Sequence, residues 1–235
     1  MTAIATITAN SIVHEPALRA VRRFLPNQYL AHPLSRPDHV FVVRRGWAAR
    51  YRQLRDGRRQ ITSLYLTGDT CDIGWLVQRQ AIQAVKAITE VEAVPLPREW
   101  LERLSANNRR HWAALGNEMA LQSSIQSELC LTLGRKTAAE RLAQLFSEIW
   151  WRLAATSHAC QTDCPMPLTQ QDMADMTGLT PIHVNRVLKE LRDADIISIR
   201  ARRMLVPDID RLQRLAKFDP GYLEGLNYGR LHSLV

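Results

Sequence analysis

Leu168-Thr-Gln-Gln-Asp-Met-Ala-Asp-Met-Thr-Gly178-Leu-Thr-Pro-Ile-His-Val-Asn-Arg-Val-Leu-Lys-Glu-Leu-Arg192 reads as two helices joined by a tight turn. Thr169 suits the N-cap of the first helix, with Asp172 in its first turn, where negative charge is favoured. Met173, Ala174 and Met176 supply apolar packing. Gly178 falls where the chain must stop and turn, a place for a residue that tolerates positive φ. Thr180 caps the second helix and Pro181 takes its first position, where a missing N–H costs nothing. Val184, Val187, Leu188 and Leu191 repeat at helical spacing and predict its buried face.

That spacing leaves Ile182, His183, Asn185, Arg186 and Lys189 outward on a helix expected over 180–192. Arg bonds guanine O6 and N7 together, Asn does the same to adenine, and Ile can touch a thymine methyl. Ile182, Asn185 and Arg186 are therefore the expected base readers. Downstream, Ile196-Ile-Ser-Ile-Arg-Ala-Arg-Arg-Met-Leu-Val206 places two short β-branched runs around a basic turn, which predicts a wing. Thr169, Thr180, His183, Lys189, Arg200, Arg202 and Arg203 are the expected contacts to the phosphate backbone. Cap, glycine, cap, proline and a basic wing in this order point to sequence-specific binding of double-stranded DNA.

Gly178-Leu-Thr-Pro-Ile-His-Val-Asn-Arg-Val-Leu-Lys-Glu-Leu191, with Leu133-Gly-Arg-Lys-Thr-Ala-Ala-Glu-Arg-Leu-Ala143 upstream, resembles the Crp/Fnr superfamily of bacterial regulators. The resemblance is strongest over 133–206 and weaker over 38–132. It implies an α+β chain: an N-terminal β-roll (double-stranded jelly roll) sensor over 1–105, a dimerisation helix over 106–133, and a C-terminal winged helix-turn-helix over 134–235. It also implies a homodimer on a palindromic site, and contact with RNA polymerase through the loop at 157–167. Arg186 matches the family's guanine-reading arginine. Pro181-Ile182 stand where many members carry Arg-Glu, and Asn185 replaces a small residue. The expected palindrome keeps one guanine per half-site and otherwise departs from the cyclic-AMP-receptor consensus.

Upstream, the pattern from Asp38 to Leu66 is strand-like, with Asp56-Gly57 as a hairpin signal. Residues 84–96 read as a further strand run, and Pro97 opens a helix. Cyclic-nucleotide-binding relatives hold the ribose and phosphate with a Gly-Glu and an Arg-Ser pair. Here those positions read Cys71-Asp72 and Ala81-Ile82, with Arg79 nearby. The phosphate would lack a charge-assisted clamp. Cyclic AMP is therefore not the expected effector, and Cys71, Asp72 and Arg79 mark the candidate pocket for a different one.

Trp112, Leu115, Met119, Gln122, Gln126, Leu129 and Leu133 alternate at spacings of three and four, the pattern of a short coiled-coil seam. Gly134-Arg135 is expected to interrupt the helix as a hinge. The next helix, 136–153, should bury Ala139, Leu142, Ala143, Phe146, Ile149 and Trp150.

Bulk properties bound the answer. The 235 residues carry 31 Lys+Arg against 23 Asp+Glu, a net charge of +8 that favours a polyanionic partner. The excess is +6 before residue 134 and only +2 after it, so the DNA reading rests on local placement. Residues 1–16 show no signal-peptide pattern and no apolar run approaches a membrane span, so a cytoplasmic location is expected. The cysteines are Cys71, Cys130, Cys160 and Cys164. None precedes position 71, which speaks against the N-terminal iron–sulfur cluster of some family members. His158-Ala-Cys160-Gln-Thr-Asp-Cys164 lacks zinc-finger spacing, so no metal is expected, and Cys160 and Cys164 read as surface-loop cysteines. No hydrolase, P-loop or zinc-protease motif is present, so the chain is not expected to be an enzyme. Two alternatives stay open: a small-molecule-binding β-roll protein with vestigial DNA binding, and a redox sensor acting through Cys130 or Cys160 and Cys164.

Overall fold

The computed structural model describes residues 20–78, 80–106, 109–155 and 162–223. By contacts the chain forms two compact units. Of the described residues, one gathers 20–52 with Ser63–Ile125 and 222–223, the other Gln53–Thr62 with Gln126–Gly221.

Eight strands precede the long helices: β1 (Arg22–Phe24), β2 (Tyr29–Ala31), β3 (His39–Arg45), β4 (Ala48–Gln53), β5 (Arg59–Tyr65), β6 (Thr70–Cys71), β7 (Ala84–Ala87) and β8 (Val91–Pro97), all in the first unit except Gln53 of β4 and Arg59–Thr62 of β5. They form two four-stranded sheets in the orders β1-β8-β3-β6 and β2-β7-β4-β5. This is the jelly-roll arrangement of the expected β-roll. Phe41 and Val43 on β3 face Tyr65, Val85 and Ala87 of the other sheet. Val40 and Val42 point the opposite way and meet Trp100, Leu101 and Leu115. Both faces of β3 are thus buried, which is why its sequence is continuously apolar from 40 to 43 instead of alternating. The run expected over 84–96 is two strands, because the chain turns between Ala87 and Val91 and re-pairs with β3 and β1.

Three helices accompany these strands: α1 (Trp75–Gln78), α2 (Arg98–Ala106) and α3 (Arg109–Arg135). The last runs through Gly134-Arg135, where an interruption was expected. The break comes one residue later. The Lys136 N–H still bonds the Thr132 carbonyl at 3.1 Å, and Thr137 then turns extended, with ψ 168°, to cap the next helix.

The second unit contains α4 (Ala138–Ala154), β9 (Asp163–Pro165), α5 (Gln170–Thr177), α6 (Pro181–Asp193), β10 (Ser198–Arg200), β11 (Arg203–Leu205) and α7 (Ile209–Ala216). A Thr137–Glu140 capping box starts α4, and its apolar stripe of Leu142, Phe146 and Ile149 is fully buried. Ala139 and Trp150, expected in that stripe, are half-buried. Burying α4 against α5, α6 and α7 gives this unit its core. No helix of the described residues is long and apolar enough to cross a membrane.

Candidate nucleic-acid interface

Both ends of α5 and the start of α6 have a visible cause. Thr169 caps α5 by accepting from the Asp172 N–H at 3.1 Å, and the Asp172 carboxylate accepts from the Thr169 N–H at 3.0 Å. Gly178 ends α5 at φ 66°, ψ 31°. Thr180 caps α6 by accepting from the His183 N–H at 3.2 Å, and Pro181 follows at its first position. Val184, Val187 and Leu191 anchor α6 in the core, each at most 3 % exposed.

The opposite face of α6 is presented outward. Ile182 is 85 % exposed, an unusual state for an isoleucine inside a packed domain. Asn185, Arg186 and Lys189 are exposed beside it. Arg186 Nη2 lies 2.9 Å from the His183 ring, and Asn185 donates to Gln170 Oε1 at 3.3 Å. These contacts line the polar side chains up along one edge. Asn185, Lys189 and Arg192, with Gln170 at the start of α5, rim a cleft of about 200 Å³ whose floor is Met173 and Ile197.

The wing is β10 and β11, joined through Ala201 and Arg202 at φ 49° and 59°. Arg200 and Arg202 are exposed near its tip. Arg203 is engaged within the chain: its Nε sits 2.7 Å from the Asp163 carboxylate on β9. That third strand went unseen in the sequence. It pairs Cys164 with Met204, which buries the Cys164 side chain completely. Cys164 is therefore a core residue of the winged domain, which corrects the surface-loop reading. Cys160 lies outside the described residues, and Cys130 is exposed on α3.

The segment Gln53–Thr62, which includes the β4–β5 turn, packs with this same unit. Arg59 Nε lies 2.6 Å from Asp175 Oδ2, and its Nη2 lies 3.0 Å from Asp172 Oδ1. Gln60 donates to the Met176 carbonyl at 3.1 Å. One arginine thus bridges both carboxylates of α5. Nothing in the spacing of the helix-turn-helix signals it.

The β-roll holds a second polar cluster. Arg50 on β4 pairs with Asp72 at 3.2 Å and donates to Ser63 Oγ at 2.9 Å. The two charged side chains are only 10 % and 14 % exposed. The Asp72 N–H donates to the buried Tyr65 hydroxyl at 3.2 Å, and Asp72 itself sits at φ 42°. Cys71 is fully buried, and burial pushes its thiol well up, which keeps it protonated. Of the expected pocket residues, Cys71 and Asp72 meet here. Arg79 lies outside the described residues. Arg50, the cation that is present, was missed because its partner is far along the chain.

The residues expected to form the α3 seam divide in two. Trp112 and Met119 are 66 % and 44 % exposed. Leu115 is buried in the β-roll's own core, and Gln122 donates to the Thr70 carbonyl at 3.1 Å. Gln126 donates to the Thr62 carbonyl. Leu129 and Leu133 are half-buried. No cluster of metal-ligating side chains occurs among the described residues.

Comparison with known proteins agrees with this geometry at both ends of the chain. A family described as the Crp-like helix-turn-helix domain matches residues 140–215, and one described as the cyclic nucleotide-binding domain matches residues 21–108. A probable transcriptional activator of Rhizobium leguminosarum bv. viciae is 31% identical over 174 residues, covering 74% of this chain and 71% of that protein. The nitrogen fixation regulation protein FixK of Azorhizobium caulinodans is 31% identical over 179 residues, covering 76% and 71%. The solved structure of FixK2 from Bradyrhizobium japonicum superposes with a TM-score of 0.76 at 27% identity, covering 83% of this chain and 96% of that one.

Proposed function

The chain belongs to the Crp/Fnr family of transcription regulators, with a helix-turn-helix DNA-binding domain, and we propose that it works as a homodimer on a palindromic site, with α6 in the major groove. The observation that carries this reading is the row of Ile182, Asn185 and Arg186, exposed on a helix whose other face is locked in the core. Arg186 reads a guanine, Asn185 an adenine, and Ile182 a thymine methyl. Thr169, Thr180, His183, Lys189, Arg200 and Arg202 hold the phosphates, while Arg203 braces the wing through Asp163. The polar cleft beside Gln170 and Lys189 suits one of those phosphates.

The proposed division of labour is a sensor over 1–105, a dimerisation helix over 106–133 and a DNA-binding domain over 134–235. Trp112 and Met119 remain at the proposed twofold seam. The exposed line continues through Ser123, Ser127, Cys130 and Leu131, which fall at helical spacing on the same helix. Leu115, Gln122 and Gln126 serve the chain's own packing instead. On this reading the protein acts in the cytoplasm as a regulator rather than an enzyme, and meets RNA polymerase at the promoter.

The residues around Asp72 do not fit a cyclic nucleotide. Arg50 is already neutralised by Asp72 and bonded to Ser63, so an arriving phosphate would face a carboxylate. We therefore propose that activity does not depend on cyclic AMP.

The test is an unbiased selection of DNA by purified wild-type protein beside Arg186→Ala. The wild type should enrich a twofold-symmetric site with one invariant guanine per half-site. The variant should lose about 1–3 kcal/mol per half-site and relax that base. Wild-type affinity and preference in the variant would refute the assignment.

A further inference from the structure

Arg141 stands near the start of α4, where a cation gains nothing from its own helix dipole. Its guanidinium is spent elsewhere. Nη2 donates to the Leu133 carbonyl at 2.7 Å, Nε to the Lys136 carbonyl at 2.9 Å, and Nη1 to the Thr177 carbonyl at 3.1 Å. Leu133 lies in the last turn of α3, Lys136 in the link to α4, and Thr177 is the last residue of α5. Carbonyls at helix C-termini lack intrahelical partners and carry the negative end of the dipole. A planar fork of five donors spreads over three nitrogens and can meet carbonyls at separate ends, whereas an ammonium offers its three donors from a single point.

The turn between α5 and α6 is seated on the same joint. A Cβ added at Gly178 would lie 3.3 Å from Leu133 Cδ2 and 3.6 Å from Arg141 Nη1. The link is fixed from its other side too. Lys136 Nζ binds Gln144 at 2.7 Å and Glu128 at 3.0 Å. One side chain therefore ties the end of the long helix to the turn that aims the recognition helix.

We propose that Arg141 is a positioning residue that sets the distance between the two recognition helices, and with it the spacing of half-sites the protein accepts. This rests on the homodimeric, DNA-binding reading above. Two half-sites one helical turn apart place each recognition helix roughly 17 Å from the twofold axis, half of ~34 Å. A rotation of about 10° at that radius moves the helix about 3 Å, close to the ~3.4 Å rise of one base pair. A slack joint would blur spacing while leaving base contacts intact.

The experiment selects DNA from a library of paired half-sites with variable spacers, using full-length wild type, Arg141→Lys and Arg141→Gln. Thermal unfolding of each is measured in parallel. The wild type should enrich a single spacing. Arg141→Lys keeps the charge but reaches fewer carbonyls. It should retain the half-site sequence while its preference for the native spacing over spacers one base pair longer or shorter falls about tenfold or more. Arg141→Gln should behave alike. Unchanged spacing preference in both variants overturns the proposal. So does loss of half-site sequence preference in both, which would make Arg141 a support of the fold alone. A wild type that enriches no paired site at all would instead count against the DNA-binding reading.

Discussion

Asp72 and Gly178 both place the backbone in the left-handed region, at φ 42° and 66°, yet they reach it by different means. At Gly178 the chain has no side chain to oppose the turn, and Leu133 and Arg141 crowd the space a Cβ would need. At Asp72 a side chain is present, and it is held by Arg50 at 3.2 Å while the residue's N–H is held by Tyr65. A non-glycine residue in this region costs on the order of 1 kcal/mol, so surrounding bonds must over-determine it. The helix-turn-helix achieves its turn by omission, whereas the β-roll achieves its turn by an internal ion pair.

The contrast can be broken first at Arg50. Arg50→Met leaves Asp72 desolvated and unbalanced, and should cost about 3 kcal/mol of unfolding free energy in urea titrations. Adding Asp72→Gly to that variant removes both the stranded carboxylate and the strain, and should restore most of the loss. If the double variant is no more stable than Arg50→Met, the ion pair is not what holds the turn. Gly178→Val probes the other side. A β-branched residue at φ 66°, pressed on Leu133, should cost about 2 kcal/mol, and Gly178→Asn should cost less. Equal stability of Val and Gly at this position would show that the turn is not sterically closed. The smallest effect is expected at Glu140. Lys217 at 2.7 Å and the Thr137 N–H hold its carboxyl at about 2 against an ordinary 4.5. A depressed carboxyl stabilises the fold above about pH 4.5 and loses that contribution as pH falls toward 2. Lys217 is largely exposed, so the contribution should stay below about 1 kcal/mol. The stability gap between wild type and Glu140→Gln should therefore narrow from pH 5 to pH 2 by about that amount. A gap that stays constant over this range would remove Glu140 from the account.

What could be read from sequence follows the range of the interactions. The helix-turn-helix was legible because caps, glycine and proline act within three or four residues of themselves. Its outward face followed from the 3.6-residue period. Strand β9 was not legible: it has three residues, one of them proline, and takes its shape from β11 forty positions later. For the same reason Cys164 looked like a loop residue. The stripe on α3 repeated with the right period, but periodicity cannot say whether a helix faces its own sheet or another chain. Leu115, Gln122 and Gln126 turn out to serve the first purpose. The Arg50–Asp72 pair escaped notice because twenty-two positions and two strands separate its members.

The arginine that bridges the carboxylates of α5 has a practical consequence. Arg59 reaches Asp172 and Asp175 from 113 and 116 positions upstream. A gene fragment cut at residue 134 would encode the cap, the turn, the recognition helix and the wing. It would leave two partly buried carboxylates without their counter-charge, on the helix that precedes the proposed recognition helix. The DNA-reading module is thus not portable as one contiguous piece of chain, and a graft onto another sensor would have to bring a basic hairpin along or remove both acids.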